Sequence, residues 1–268
     1  MDLLWGTILL RPYVFVFLVL YFVGSSMQFG VRTALFFLFI GYLLAFLSEY
    51  SSIHWGFPYG DYYYLPATAD RELWVLGVPF MDSVSYVFLA ACSYTTALFL
   101  LCPFVRDQRG LTLGDSAEQR RGWAPWVLGS ALMVLLDIII DPVALQGDRW
   151  FLGKIYGYRN PGAYFGIPTS DFWGWLLVGL LLIKALQTII STWGKKSLDL
   201  RWKGISIIPL WGPLLYIDIL LFNLAVTAAI GEVTLWLVGV FLTGTFFALG
   251  GALILYKIRY PAPVQEDQ

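Results

Sequence analysis

The chain has 268 residues, of which 59% are hydrophobic and 13% charged, and its mean hydropathy is +0.71. A soluble domain carries about 25% charged residues, so the composition excludes an ordinary water-soluble fold, and a net charge of −1 removes the electrostatic basis for nucleic-acid binding. The two cysteines, Cys92 and Cys102, fall in one expected helix about 15 Å apart, too far for a disulfide within it, and with His54 as the single histidine there is no Cys/His metal spacing.

Apolar runs of about twenty residues, enough to cross a bilayer as a helix, predict seven spans in an all-α polytopic membrane bundle. The first covers 11–27. Arg11-Pro12 interrupts the apolar N-terminus and no small-residue cleavage site follows, so the run reads as a retained span and not a signal peptide. Residues 2–10 form either a separate interfacial helix or an earlier start of this span. The second span covers 31–50 and carries Glu49 at its end. Residues 51–83 then form a loop rich in rings, Gly and Pro, including Trp55-Gly56-Phe57-Pro58-Tyr59-Gly60. The third span, 84–101, leads to a polar, solvated connector at 106–123. The fourth, 124–140, is expected to stop at Asp141, because the residue before Pro142 is disfavoured in helical backbone. A second aromatic loop fills 143–171, with Tyr164-Phe165-Gly166-Ile167-Pro168 near its end. The fifth span covers 172–193, the sixth 205–229 and the seventh 233–256, the last two joined as a tight hairpin through Gly231-Glu232. Residues 1–260 form one transmembrane domain and 261–268 a short disordered tail.

Lys and Arg set the orientation. Eleven (Arg32, Arg106, Arg109, Arg120, Arg121, Lys195, Lys196, Arg201, Lys203, Lys257 and Arg259) fall on one side of the alternating spans, and five (Arg11, Arg71, Arg149, Lys154 and Arg159) on the other; Lys184 lies inside the fifth span. The richer side is expected to be cytoplasmic, with the C-terminus. The N-terminus and both aromatic loops are then outside. Those loops are too apolar to float in water and should fold back over the bundle, where irregular backbone is tolerated once buried in protein. Aromatic residues make up 18% of the chain, more than interfacial belts require. The surplus rings either pack helices together or line a pocket for something flat, apolar or cationic.

Acids gather at the outer edge. Asp137 and Asp141 are four apart and share a helical face. An ionised Asp at mid-membrane costs roughly 2.5–3.5 kcal/mol on insertion scales, and two like charges this close do not both ionise readily. One is therefore expected to hold a proton, as acid–base chemistry requires; the alternative is a helix cap or a pair with Arg149 or Arg159. Alternation of the spans brings the end of the second to the end of the fourth, so Glu49, Asp137 and Asp141 should converge in a pocket roofed by the two loops. His54 is either a locally satisfied side chain or a base. Asp61, Asp70, Arg71 and Glu72 read as loop charges. Asp82 and Asp171 stand where N-caps would. Asp218 and Asn223 lie within the sixth span, where helix-to-helix contact explains them as well as catalysis does; Lys184 is the candidate partner of Asp218.

The ordered set formed by Glu49, Gly56-Phe57-Pro58-Tyr59-Gly60 with Tyr62, Leu76-Gly77-Val78-Pro79, Asp137 to Asp141-Pro142, Trp150, and Tyr164 through Pro168 to Gly174-Trp175 resembles the carotenoid biosynthesis protein family that contains the membrane carotenoid 1,2-hydratases (gamma-carotene and bisanhydrobacterioruberin hydratases). Two positions depart from it: Asp171 stands where Asn is expected, and Met81-Asp82-Ser83 replaces a more aliphatic start of the third span. The resemblance implies a hydro-lyase in the plasma membrane of a prokaryote. It would add water to the terminal 1,2 double bond of an acyclic carotenoid drawn from the bilayer, among lipids and other carotenoid enzymes, without cofactor or metal. That reaction delivers a proton to one alkene carbon, forms a tertiary cation and adds water to it. Asp137, Asp141 and Glu49 are expected to supply acid and base. His54, Trp55, Phe57, Tyr59, Tyr62, Asp82, Trp150, Tyr164, Phe165, Asp171 and Trp175 would surround the substrate, and each well-placed ring stabilises a cation by about 0.5–2 kcal/mol. Three other readings stay open. One is another isoprenoid-modifying membrane enzyme, a prenyltransferase or cyclase, the former with carboxylates for Mg²⁺ and a diphosphate. Another is a proton-coupled carrier using the acids as a relay, although the inverted repeats usual in carriers are not evident. The last is a noncatalytic scaffold.

Overall fold

The computed structural model describes residues 2–195 and 197–263; Lys196 and positions 264–268 of the expected tail lie outside the described residues. In chain order the helices are α1 (Leu3–Leu10), α2 (Pro12–Phe29), α3 (Val31–Trp55), α4 (Phe80–Leu101), α5 (Ala117–Arg121), α6 (Trp123–Ala144), α7 (Thr169–Trp193), α8 (Trp211–Ala229) and α9 (Val233–Arg259). The strands are short: β1 (Tyr62–Tyr64), β2 (Trp74–Val75), β3 (Val78–Pro79), β4 (Phe104–Asp107), β5 (Gly110–Leu113), β6 (Tyr156–Tyr158), β7 (Arg201–Trp202) and β8 (Ile205–Ser206). All the helices except α1 and α5 are long and apolar enough to cross a membrane, so the protein is an integral membrane helix bundle with seven spans.

The bundle is built around α4. Its most apolar 18 residues are 83% buried, against 11% for α9 at the periphery. Its middle, Ala90-Ala91-Cys92-Ser93, is small, which lets neighbouring backbones approach. Two glycines complete the fit from the other side. A Cβ at Gly129 of α6 would stand 3.1 Å from the Tyr94 Cα, and one at Gly212 of α8 would meet Thr95 Oγ1 at 1.8 Å. Lys257 ties α9 to the far end of α4, donating to the Phe99 carbonyl at 2.5 Å, where a cation complements the carbonyl end of a helix.

Residues 2–10 form their own helix, α1, ended just before Pro12, which opens α2 with a fixed φ and no N–H to satisfy. The residue between them, Arg11, is fully buried and pairs with Glu72 through two contacts of 2.9 and 3.1 Å. Arg11 also donates to the Leu152 carbonyl, and the Thr68 hydroxyl donates to Glu72. Glu72 is thus no loop charge but half of a buried ion pair that fastens the start of α2 to both outer loops. Buried ions persist only with a partner and further hydrogen bonds, and both are present.

Asp141-Pro142 does not end α6, which runs on to Ala144. Proline removes the N–H that would bond the carbonyl four residues earlier, that of Ile138. The Tyr164 hydroxyl donates to that carbonyl instead, at 3.1 Å. Trp150 likewise donates to the Val143 carbonyl, so the outer loop adds donors where the helix ends.

At the opposite end the 106–123 connector is not simply solvated. β4 and β5 form a hairpin, β5 runs parallel to β8, and β7 closes the sheet in the order β4-β5-β8-β7. Arg201 joins Asp107 to Asp199 across it. Because Ile205-Ser206 is drawn into this sheet, α8 starts later than the sixth span was expected to. The last described residues are held there too, with the Ala262 amide donating to the Phe104 carbonyl at 2.8 Å.

Candidate active site

The two outer loops meet through β1 and β6, which pair antiparallel with Tyr62 opposite Tyr158 and Tyr64 opposite Tyr156. Alternate residues of a strand face the same way, so these four tyrosines share one face, turned toward the bundle. The segment before β1 is seated on α7. A Cβ at Gly174 would come within 2.6 Å of the Tyr59 ring and 2.8 Å of the Pro58 carbonyl, and glycine removes that clash. Tyr59 is fixed further by its amide, which donates to Ser52 Oγ at 2.9 Å, and by its hydroxyl, 2.9 Å from that of Ser48.

Beneath the tyrosines lies a cavity of about 130 Å³, lined by acids and aromatic rings. The Tyr64 hydroxyl lies 2.7 Å from Asp82 Oδ2 and 3.1 Å from Glu49 Oε1. Ser83 Oγ donates to the other Glu49 oxygen. Asp141 receives one hydroxyl on each oxygen, Tyr156 at 2.5 Å and Tyr158 at 2.7 Å, both from β6. Asp171 lies beside it on the cavity wall, whereas Asp137 does not line the cavity and sits behind them. Tyr86 and Trp175 stack at 4.5 Å along the wall, and Tyr13 stacks on Phe222 at 5.1 Å. Burial pushes the phenols of Tyr62, Tyr64, Tyr156 and Tyr158 well above their usual range, so all four are neutral donors at physiological pH.

Of the residues expected here, Glu49, Tyr59, Tyr62, Asp82, Asp141, Trp150, Asp171 and Trp175 line the cavity. Tyr164 and Phe165 do not; Tyr164 completes the end of α6, and Phe165 packs against its ring. His54, Trp55 and Phe57 are exposed, with Trp55 at 74%. The His54 ring bonds the Tyr50 carbonyl one turn earlier, at 2.8 Å. Neither Asp82 nor Asp171 caps a helix. Pro79 and Pro168 hold the cap positions, and both acids sit in the first turn, their side chains part of the cavity wall. Lys184 and Asp218 are both exposed and make no ion pair with each other; the Lys184 ammonium lies 5.2 Å from the centroid of the Trp126 ring.

Tyr64, Tyr86, Tyr156 and Tyr158 were not anticipated. The signal lay in Tyr62-Tyr63-Tyr64 and Tyr156-Gly157-Tyr158, each of which puts two tyrosines on one face if extended. Each run is only three residues long, too short for its alternation to stand out in the sequence.

The sequence model described as carotenoid biosynthesis protein matches residues 5–246. The chain belongs to the carotenoid biosynthesis protein family. The match runs from α1 to the middle of α9 and includes every residue of the cavity wall. No curated protein and no solved structure matches the chain.

Proposed function

We propose that this member of the carotenoid biosynthesis family is a membrane hydratase that adds water across the terminal 1,2 double bond of an acyclic carotenoid by acid catalysis. The observation that carries the reading is the pair of carboxyl–tyrosine groups, Glu49–Tyr64–Asp82 and Asp141–Tyr156–Tyr158, on the wall of one aromatic cavity. Hydration needs an acid at one carbon, and beside it a base that holds water. In between it needs faces that tolerate a cation, and the wall carries all three kinds of group.

The roles divide by counting protons. A phenol has one hydrogen, so Tyr64 cannot donate to Glu49 and Asp82 together. Both contacts are hydrogen bonds only when one carboxyl carries a proton and donates to the phenol oxygen. That group is the acid, and it passes its proton to the less substituted alkene carbon. The positive charge forms on the branched carbon, facing rings such as Tyr86 and Trp175. Asp141, whose two oxygens accept from tyrosines, orients the water that adds there and takes up its second proton. This division exchanges the roles expected for Glu49 and the Asp137/Asp141 pair, because Asp141 is occupied as an acceptor and Asp137 lies behind the wall.

The part-exposed rings of Tyr13, Trp150 and Phe222, with the exposed Phe151 against them, give an apolar approach from the bilayer. Expression in a host that makes lycopene, followed by pigment mass analysis, tests the reading. A gain of water in the pigment is expected; an unchanged pigment with the protein present in the membrane defeats it.

A further inference from the structure

Asp137, Asp141 and Asp171 each offer a carboxylate oxygen, and the three oxygens all lie within 4.8 Å of one another. The last turns of α6 place Asp137 and Asp141 on one face, and the first turn of α7, packed along α6, supplies Asp171. Neither oxygen of Asp137, nor Oδ2 of Asp171, receives an N–H or hydroxyl donor among the described residues; the two carboxyls, 0% and 2% exposed, face each other within hydrogen-bond reach. No ion pair among the described residues involves any of the three acids. Buried carboxylates left in this state carry their full desolvation cost. By contrast, Asp141 is held by two tyrosine hydroxyls, as outer-shell groups orient a ligating carboxylate.

We propose that Asp137, Asp141 and Asp171 form a site for a divalent cation. All three donors are oxygens and neither His nor Cys belongs to the cluster, which selects a hard ion, Ca²⁺, Mg²⁺ or Mn²⁺, over Zn²⁺. Opposite ligands stand about 4.8 Å apart around Ca²⁺ and about 4.2 Å apart around Mg²⁺. Separations of no more than 4.8 Å suit three oxygens on one such ion. The ion would lock the end of α6 to the start of α7 and neutralise charge that no protein group offsets. It goes beyond the hydration reading and does not depend on it.

The test is metal content. Protein purified in detergent without chelator is analysed by plasma mass spectrometry, then stripped with EDTA and titrated with Ca²⁺, Mg²⁺ and Mn²⁺ while its thermal midpoint is followed. About one divalent ion per chain, or a midpoint raised by at least about 2 °C at saturation, is expected. Asp137→Asn and Asp171→Asn should lose the ion or need at least about tenfold more of it. A wild-type protein that holds no divalent ion and shifts with none of the three overturns the site and leaves the acids to protons; unchanged binding in both variants overturns the ligand assignment. If a variant fails to accumulate, the wild-type measurement still decides. No carotenoid enters the assay, so its failure and that of the hydratase reading are separate.

Discussion

Tyr64 is the residue on which the acid assignment turns, since it touches two carboxyls and has one proton to give. Glu49→Gln and Asp82→Asn keep size and most packing but remove a titrating proton, and each should lower hydration by about 10²–10⁴-fold, the usual worth of a general acid or base. Tyr64→Phe should act in the same direction, whereas His54→Ala, at an exposed position, should stay near wild type. Pigment conversion at matched protein level is the readout. Equal conversion by Glu49→Gln, Asp82→Asn and wild type would return the role to Asp137 and Asp141. At this scale the sequence announces the acids, because carboxylates are rare and costly among apolar residues. Asp82 and Asp171 read locally as caps and are placed round the substrate only through the family resemblance; both line the cavity from a first turn. The sequence does not reveal the tyrosine partners, which depend on strand pairing between residues nearly a hundred apart.

Elements obeyed their local signals except where a distant group intervened. Pro12, Gly56 and the Gly231 turn end or begin helices as their backbone preferences require. Pro142 fails to end α6 because Tyr164, from the following loop, bonds the carbonyl that proline leaves free. The two-residue strands β7 and β8 are invisible to periodicity and exist because the β4–β5 hairpin offers them an edge. Arg11 and Glu72 looked like separate surface charges, and nothing local says that α1 and the outer loop close over them. Their burial makes a direct prediction. Arg11→Met leaves Glu72 unpaired and should cost about 3–5 kcal/mol, while Arg11→Met with Glu72→Gln should recover most of it. Thermal unfolding in detergent reads both; a double variant no more stable than the single one would mean that the pair is not the fastening between these segments.

For the whole molecule, the alternation of seven apolar runs was enough to place the aromatic loops together at one end, and the pairing of β1 with β6 bears that out. The other end is equally coherent, joining the α2–α3 turn, the β4–β5 hairpin and the segment after α7. Which end faces the cytoplasm rests on the excess of Lys and Arg at the sheet end. Reporter fusions within 106–123 and 143–171 should therefore report inside and outside respectively; the reverse assignment would mean that the charge bias does not orient this chain.

The wall beneath the tyrosines gathers Glu49, Asp82 and Asp141 round one cavity, so a pigment hydrated there as proposed would present one tip at a time. A carotenoid with two reactive tips would then withdraw, reverse and insert again before its second reaction, and turnover would be distributive. In a time course with substrate in excess, the singly hydrated pigment should rise first and accumulate, and the doubly hydrated one should follow after a lag. Doubly hydrated pigment arriving without that intermediate would show that the two tips are handled in a single visit.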